Sequence, residues 1–182
     1  MKDSKPFSCV SHEVLHKNPY WEYHKDRYTL ADGNSEADYF YVHSFGSTLV
    51  IPVMSDGTLV MVKQFRYLNQ QMSLEFPGGG IAEGCTPEQN ALKELEEETG
   101  FVGENPQLCG MFNPYKGVTN EQCFVFKTIV QKRLTVHQDF SEQCEVVFVQ
   151  PDQILKFIAD GLIWDGMTIA AWTLYLHHNK TV

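Results

Sequence analysis

A glycine run followed at once by a glutamate-rich helical segment, GGIAEGCTPEQNALKELEEETGF from Gly79 to Phe101, constrains this chain more than any other stretch. Thr86 stands as a helix N-cap, Pro87 falls at the first helical position, where a missing N–H is harmless, and Gln89 takes the return position of a capping box. Gly100 is a left-handed stop. Between these ends Ala91, Leu92, Leu95 and Thr99 share one face at helical spacing, while Glu94, Glu97 and Glu98 share another. One face packs and the other concentrates negative charge. Like charges at that spacing cost roughly a few tenths of a kcal/mol per pair, and Lys93, one turn before Glu97, offsets only part of it. A divalent cation removes the penalty. Carboxylates projecting from one helix are hard oxygen ligands suited to Mg²⁺ or Mn²⁺, with waters and phosphate oxygens completing the shell. The preceding Gly78, Gly79 and Gly80 let backbone approach an ion or a phosphate closely.

Around this segment the chain is organised as strands first and helices late. Trp21 to Leu30 is aromatic-rich, Asp32-Gly33-Asn34 is a turn, and Tyr39 to His43 is a second aromatic run, so the N-terminal region is expected to form a β-hairpin. Strands are expected at Thr48–Met54 and Thr58–Phe65 about the turn Ser55-Asp56-Gly57, and then near Gln107–Phe112, Cys123–Val130 and Glu145–Val149. Helices are expected at Pro151–Ala159 and about Met167–His177. This order implies an α/β fold, a mixed β-sheet sandwiched between helices and preceded by an antiparallel hairpin. With no repeat, linker or low-complexity tract, residues 1–182 are expected to be one domain, with 1–46 as the hairpin segment and 47–182 as the core.

Composition narrows the class of partner. A chain of 182 residues, 43% hydrophobic and 13% aromatic, can bury one substantial core. Its net charge of −9, with no compensating basic cluster, argues against nucleic-acid binding and requires a cation to bridge any anionic substrate. The five cysteines, Cys9, Cys85, Cys109, Cys123 and Cys144, are odd in number and include no C-x-x-C pair, so neither a disulfide framework nor a zinc site is indicated. No apolar run reaches the length of a membrane span, and the N-terminus has no apolar leader, so a soluble protein of the reducing cytoplasm is expected.

The box from Gly79 to Phe101 resembles the signature of the Nudix hydrolases, G-x5-E-x7-R-E-U-x-E-E-x-G-U with U aliphatic or aromatic. Gly79, Glu94, Leu95, Glu97, Glu98, Gly100 and Phe101 match it, whereas Cys85 stands at the first Glu and Lys93 at the Arg. The second departure replaces a planar fork by a point donor that cannot make a bidentate contact. Upstream, Gln64-Phe65-Arg66 and Glu75-Phe76-Pro77-Gly78-Gly79 are similar to the ADP-ribose pyrophosphatase branch of that family.

The resemblance implies an α/β/α sandwich and metal-dependent hydrolysis of the diphosphate bond of nucleoside diphosphate sugars. It implies that Glu94, Glu97, Glu98 and the Gly78 carbonyl hold Mg²⁺ or Mn²⁺, and that Arg66 contacts the diphosphate. Glu75 joins the substrate site, either in the metal shell or hydrogen-bonded to the N–H groups of the turn. Glu142, in the loop before the strand at Glu145, is the leading general base, with the box glutamates Glu97 and Glu98 as the other catalytic acids. In this branch the N-terminal hairpin belongs to a homodimer interface, and Trp21, with Tyr20 and Tyr23 nearby, is placed to stack a nucleotide base. Two other functions share the box: hydrolysis of nucleoside triphosphates or dinucleoside polyphosphates, and binding of a nucleotide sugar without cleavage.

Overall fold

The computed structural model describes residues 7–133 and 144–181. The chain divides into two compact units, one running through Phe45 and taking in Tyr115–Glu121, the other comprising Gly46–Pro114 and the chain from Gln122 onward.

In the first unit three antiparallel strands form a sheet in the order β1 (Ser8–Lys17), β2 (Glu22–Thr29) and β3 (Glu36–His43). The expected hairpin is β2 and β3, paired from Glu22 opposite His43 to Thr29 opposite Glu36. Its turn is held by Asp32, whose Oδ1 accepts the N–H groups of Asn34 and Ser35 at 3.0 and 2.9 Å, with Gly33 at φ 74°. Strand β1 was not expected. All ten of its residues are exposed, so it carries no buried face to impose the alternation by which strands are recognised. Thr119 adds an isolated parallel bridge to Val42.

The second unit is built on a seven-stranded sheet with the path β10 (Glu145–Val149), β5 (Leu59–Arg66), β4 (Ser47–Met54), β9 (Cys123–Arg133), β8 (Phe101–Phe112). Strand β6 (Gln71–Glu75) pairs with β5 and β7 (Gly78–Gly80) with β4. The β4–β9 ladder is parallel and the others antiparallel, so the sheet is mixed. Residues 49–51 and 59–62, in β4 and β5, are all buried, as strands covered on both faces must be. Leu49, Ile51, Leu59, Met61 and Val125 pack towards Ile154 in α2 (Ile154–Ala159), Ala171 and Trp172 in α3 (Gly166–Thr181), and Ile163 between the two helices. Val50, Val60 and Phe126 pack the other way, on Ala91 and Leu95 of α1 (Pro87–Thr99). Helices thus cover both faces, which is the expected sandwich.

Strand β6 was not among the expected strands, and three further elements of this unit differ from expectation. Strand β8 begins at Phe101 rather than near Gln107; its first half holds Gly103, Asn105 at φ 50° and register shifts against β9, which erase a clean period. The three glycines of β7 have no side chains to signal a strand. The segment expected as one helix at Pro151–Ala159 opens with a 3₁₀ turn over Pro151–Gln153 before α2.

Candidate active site

Helix α1 starts and stops as its sequence dictates. Gln89 N–H donates to Thr86 Oγ1 at 3.2 Å and Thr86 N–H donates back to Gln89 Oε1 at 3.0 Å, a closed capping box. Gly100, at φ 73°, donates its N–H to the Glu96 carbonyl at 2.8 Å. These ends set the helix phase, and the phase decides which side chains meet β7.

Asn90, Glu94 and Glu98 recur every fourth residue and so form one ridge of α1. Asn90 is fully buried; its Nδ2 donates to Thr48 Oγ1 in β4 at 2.9 Å and reaches the Gly79 carbonyl at 3.5 Å, and its Oδ1 accepts the Ala82 N–H at 3.3 Å. The Glu94 carboxylate lies against Gly79 so closely that a Cβ there would sit 2.7 Å from its Oε2. The buried Glu98 accepts the Gly78 N–H at 3.0 Å. In an antiparallel ladder a residue's N–H and C=O point to the same edge, so the Gly78 carbonyl shares the edge on which Glu98 lies. Two carboxylates therefore line a glycine backbone.

Glu97 departs from the expected gathering of three. Each residue turns the helix by about 100°, so Glu97 and Glu98 diverge, and Lys93 Nζ holds the exposed Glu97 carboxylate at 2.6 Å while standing 3.8 Å from Glu94. That hydrogen bond pushes the Lys93 ammonium above its ordinary pKa, against the opposing effect of burial. Among the described residues no group of three or more His, Cys, Asp or Glu side chains is arranged to hold a metal. The donor set nonetheless fits a hard cation, because Glu94 and Glu98 offer carboxylate oxygens beside a backbone carbonyl. The Lys93–Glu97 pair is an exposed i, i+4 contact worth about 0.3–0.5 kcal/mol, which is little to give up if Glu97 swings in.

The β5–β6 hairpin supplies the cationic side. Arg66 Nε donates to Glu75 Oε1 at 2.8 Å and its Nη2 donates to Glu75 Oε2, a two-pronged pair with the carboxylate buried and the guanidinium half-exposed. Gln64 Nε2 reaches the same Oε2 at 3.4 Å. Glu75 is thus partnered by Arg66, not by the turn N–H groups. The pair pushes the Arg66 pKa above its usual value, and the charges of Asp165 and Glu98 reinforce it, which puts this guanidinium within electrostatic reach of the box.

Two residues were missed from the sequence. Asn90 carries a signal, since it lies one turn before Glu94 on the glutamate ridge. Asp165 caps α3, accepting the Met167 and Thr168 N–H groups at 3.2 and 2.8 Å; an Asp before Gly166-Met167-Thr168 is a legible cap, but nothing in its neighbours points to Arg66. Cys85 is half-buried in the turn before α1, its N–H donating to the Ala82 carbonyl at 3.1 Å. Trp21 belongs to the first unit; its N–H donates to Asn18 Oδ1 at 2.9 Å and its ring lies 5.7 Å from that of His16. Glu142 lies outside the described residues. A cleft of about 660 Å³ opens elsewhere on the second unit, lined by Val53, Glu104, Lys127, Tyr175 and Asn179 among others, and no box glutamate reaches it.

A family model, the NUDIX domain, matches residues 43–166. Over 130 residues the chain is 31% identical to an ADP-ribose pyrophosphatase of Bacillus subtilis, which spans 69% of each chain. Over 179 residues it is 28% identical to a GDP-mannose pyrophosphatase of Yersinia enterocolitica, 88% of this chain and 90% of that one. The solved structure of an ADP compounds hydrolase superposes with a TM-score of 0.84 over 100% of this chain and 98% of the other, at 14% identity, a likeness of fold alone. The chain belongs to the Nudix family. It is an enzyme, a Nudix pyrophosphatase. No described helix is long and apolar enough to cross a membrane.

Proposed function

We propose that this enzyme hydrolyses the diphosphate bond of nucleoside diphosphate sugars of the ADP-ribose kind, giving a nucleoside monophosphate and a sugar phosphate. The observation that carries this reading is the pair of carboxylates, Glu94 and Glu98, held on the Gly78–Gly79 backbone within electrostatic reach of the Arg66 guanidinium. The names of the relatives from Bacillus and Yersinia support the sugar-nucleotide substrate.

Glu94, Glu98 and the Gly78 carbonyl, joined by Glu97 once it leaves Lys93, would hold Mg²⁺ or Mn²⁺. When bound, such a cation neutralises the charge on the nonbridging phosphate oxygens. Arg66, parting from Glu75, donates its fork to the diphosphate and orients it. A carboxylate takes the proton from the attacking water as the new O–P bond forms and the bridging P–O bond breaks, and the departing phosphate keeps the electron pair. Glu142 is the first candidate for that base and a box glutamate, Glu97 or Glu98, the second; kcat in Glu142→Gln at the wild-type level assigns the proton to the helix. The first unit serves as the homodimer segment, since Val10, Val14, Trp21, Tyr23 and Phe40 are all exposed on it. Trp21 stacks the base, a role that Trp21→Ala with unchanged KM for every nucleotide sugar would remove. Cys9, Cys85 and Cys109 are free thiols, which accords with a reducing cytoplasm.

The test is incubation of the purified protein with ADP-ribose, ADP-glucose, GDP-mannose, UDP-glucose and ATP, with Mg²⁺ or Mn²⁺, and detection of monophosphate release. Metal-dependent release from the sugar nucleotides and not from ATP is expected. Release from ATP alone would overturn the substrate assignment.

A further inference from the structure

We infer that Asn90 is a positioning residue that locks the glutamate helix in register with the glycine strand and thereby sets the affinity of the site for its cation. The inference rests on the metal-dependent reading above but concerns a residue outside the signature's glutamates. Three observations meet at this side chain.

First, Asn90 is a polar group with no exposure at all, in a helix whose other buried members are Ala91, Leu95, Glu98 and Thr99. Burying an amide in such a place costs a few kcal/mol unless its hydrogen bonds are made, so its partners determine where the helix can sit. Second, those partners belong to three separate stretches of chain: Thr48 Oγ1 in β4 at 2.9 Å, the Gly79 carbonyl in β7 at 3.5 Å and the Ala82 N–H beyond β7 at 3.3 Å. The first bond is short and the other two are long, so Thr48 is the anchor and the β7 contacts are the parts it brings into place. Thr48 is itself opposite Gly79 in the β4–β7 ladder, so the amide spans a register pair that the sheet already defines. Third, the ridge continues from Asn90 to Glu94 against Gly79 and Glu98 on the Gly78 N–H. A slide or rotation of α1 would break the Asn90 anchor together with the glutamate contacts to β7, and an apolar residue at 90 would not add that resistance.

An amide here does what a carboxylate cannot. It offers a donor to a hydroxyl and a carbonyl and an acceptor to an N–H at once, and it adds no negative charge beside Glu94 and Glu98. The expected size of the effect is that of partners which orient metal ligands without touching the metal, about 10–100-fold in affinity.

The experiment compares wild type, Asn90→Ala, Thr48→Val and, as a control, Leu95→Ala, which removes a fully buried side chain from the apolar face of the same helix without touching the clamp. Two readouts are taken without substrate: Mn²⁺ affinity by calorimetry, and hydrogen exchange of the amides from Gly78 to Ala82 in metal-free protein. Asn90→Ala is expected to weaken Mn²⁺ binding at least tenfold and to speed exchange at Ala82. Thr48→Val, which keeps shape and deletes the acceptor, is expected to do the same in part, and the double variant to fall short of the product of the two. Leu95→Ala is expected to lower stability while keeping wild-type Mn²⁺ affinity. Wild-type affinity and wild-type exchange in both clamp variants would overturn the inference, as would an equal loss of affinity in Leu95→Ala. If Asn90→Ala fails to fold, Thr48→Val decides. Failure of wild type to bind Mn²⁺ would instead overturn the metal-dependent reading and with it the affinity role, while the exchange data would still decide the clamp.

Discussion

At the scale of single residues, the three box glutamates have unequal standing. Glu98 is buried on a backbone N–H and is oriented before any ligand arrives, whereas Glu97 is held outward by Lys93. Glu98→Gln keeps the shape and an acceptor for Gly78 but removes the charge, so kcat is expected to fall by orders of magnitude with the melting temperature near wild type; a kcat within tenfold of wild type, measured at saturating metal, would remove Glu98 from the chemistry. Lys93 stands where the signature has a guanidinium and engages one glutamate at short range, as a point charge must. Lys93→Met releases Glu97 and deletes a positive charge next to Glu94. It is expected to lower the Mg²⁺ concentration for half-maximal activity severalfold, and a rise would show that the ammonium helps rather than competes. Cys85, at the signature's first glutamate, is a half-buried thiol, and nothing in the structure explains its presence there.

At the scale of elements, the site is a contact between one helix ridge and one three-residue strand, and adjacent glycines contribute to it differently. A Cβ on Gly78 would meet the Thr48 carbonyl at 2.1 Å and Leu49 Cα at 3.0 Å, both backbone, so Gly78→Ala must push β7 off β4. A Cβ on Gly79 would first meet the end of the Glu94 side chain, at 2.7 Å. Gly79→Ala is therefore expected to fold with a cooperative melt close to wild type and to lose metal-dependent turnover, while Gly78→Ala is expected to lose several degrees or fail to fold. Thermal melts with activity measured on the folded fraction check both, and equal melts for the two would contradict the assignment of the close backbone contact to Gly78. The helix ends were legible because capping is local chemistry: Thr86, Pro87, Gln89 and Gly100 each act within a few residues of themselves. Strand β7 was not, because its reason for being a strand is the approach of β4 and Glu94 from elsewhere in the chain.

At the scale of the whole molecule, two units of different character share one chain. The second holds a core covered on both faces of its sheet, while the first has β1 wholly exposed and ion-paired to β2. Across the β1–β2 pairing the Glu22 carboxyl is held at about 2 rather than 4.5, chiefly by the hydrogen bond from Lys17 and then by that from His24. A depressed carboxyl pKa contributes stability that is complete above the ordinary value and is lost as pH falls through the folded one. The β1–β2 pairing is therefore expected to weaken between about pH 4.5 and 2, followed by Trp21 fluorescence. Glu22→Gln should flatten that part of the titration, and an unchanged curve would assign the acid response to other groups. A homodimer through this unit is tested by light scattering, where a monomer at working concentrations would end the proposal.

The sequence by itself determined the helix and its caps, the glycine turn before it, most of the sheet and the family, because each is encoded by residues close together in the chain or by a spacing that few other folds would need. Only the tertiary structure decided that Glu75 answers Arg66, that Asn90 ties α1 to β4, and that Glu94 and Glu98, and not Glu97, face β7. The first two join residues 9 and 42 positions apart. The third depends on where β7 lies against the helix: the capped ends set the helix phase, but the strand that meets the Glu94–Glu98 ridge comes from elsewhere in the fold.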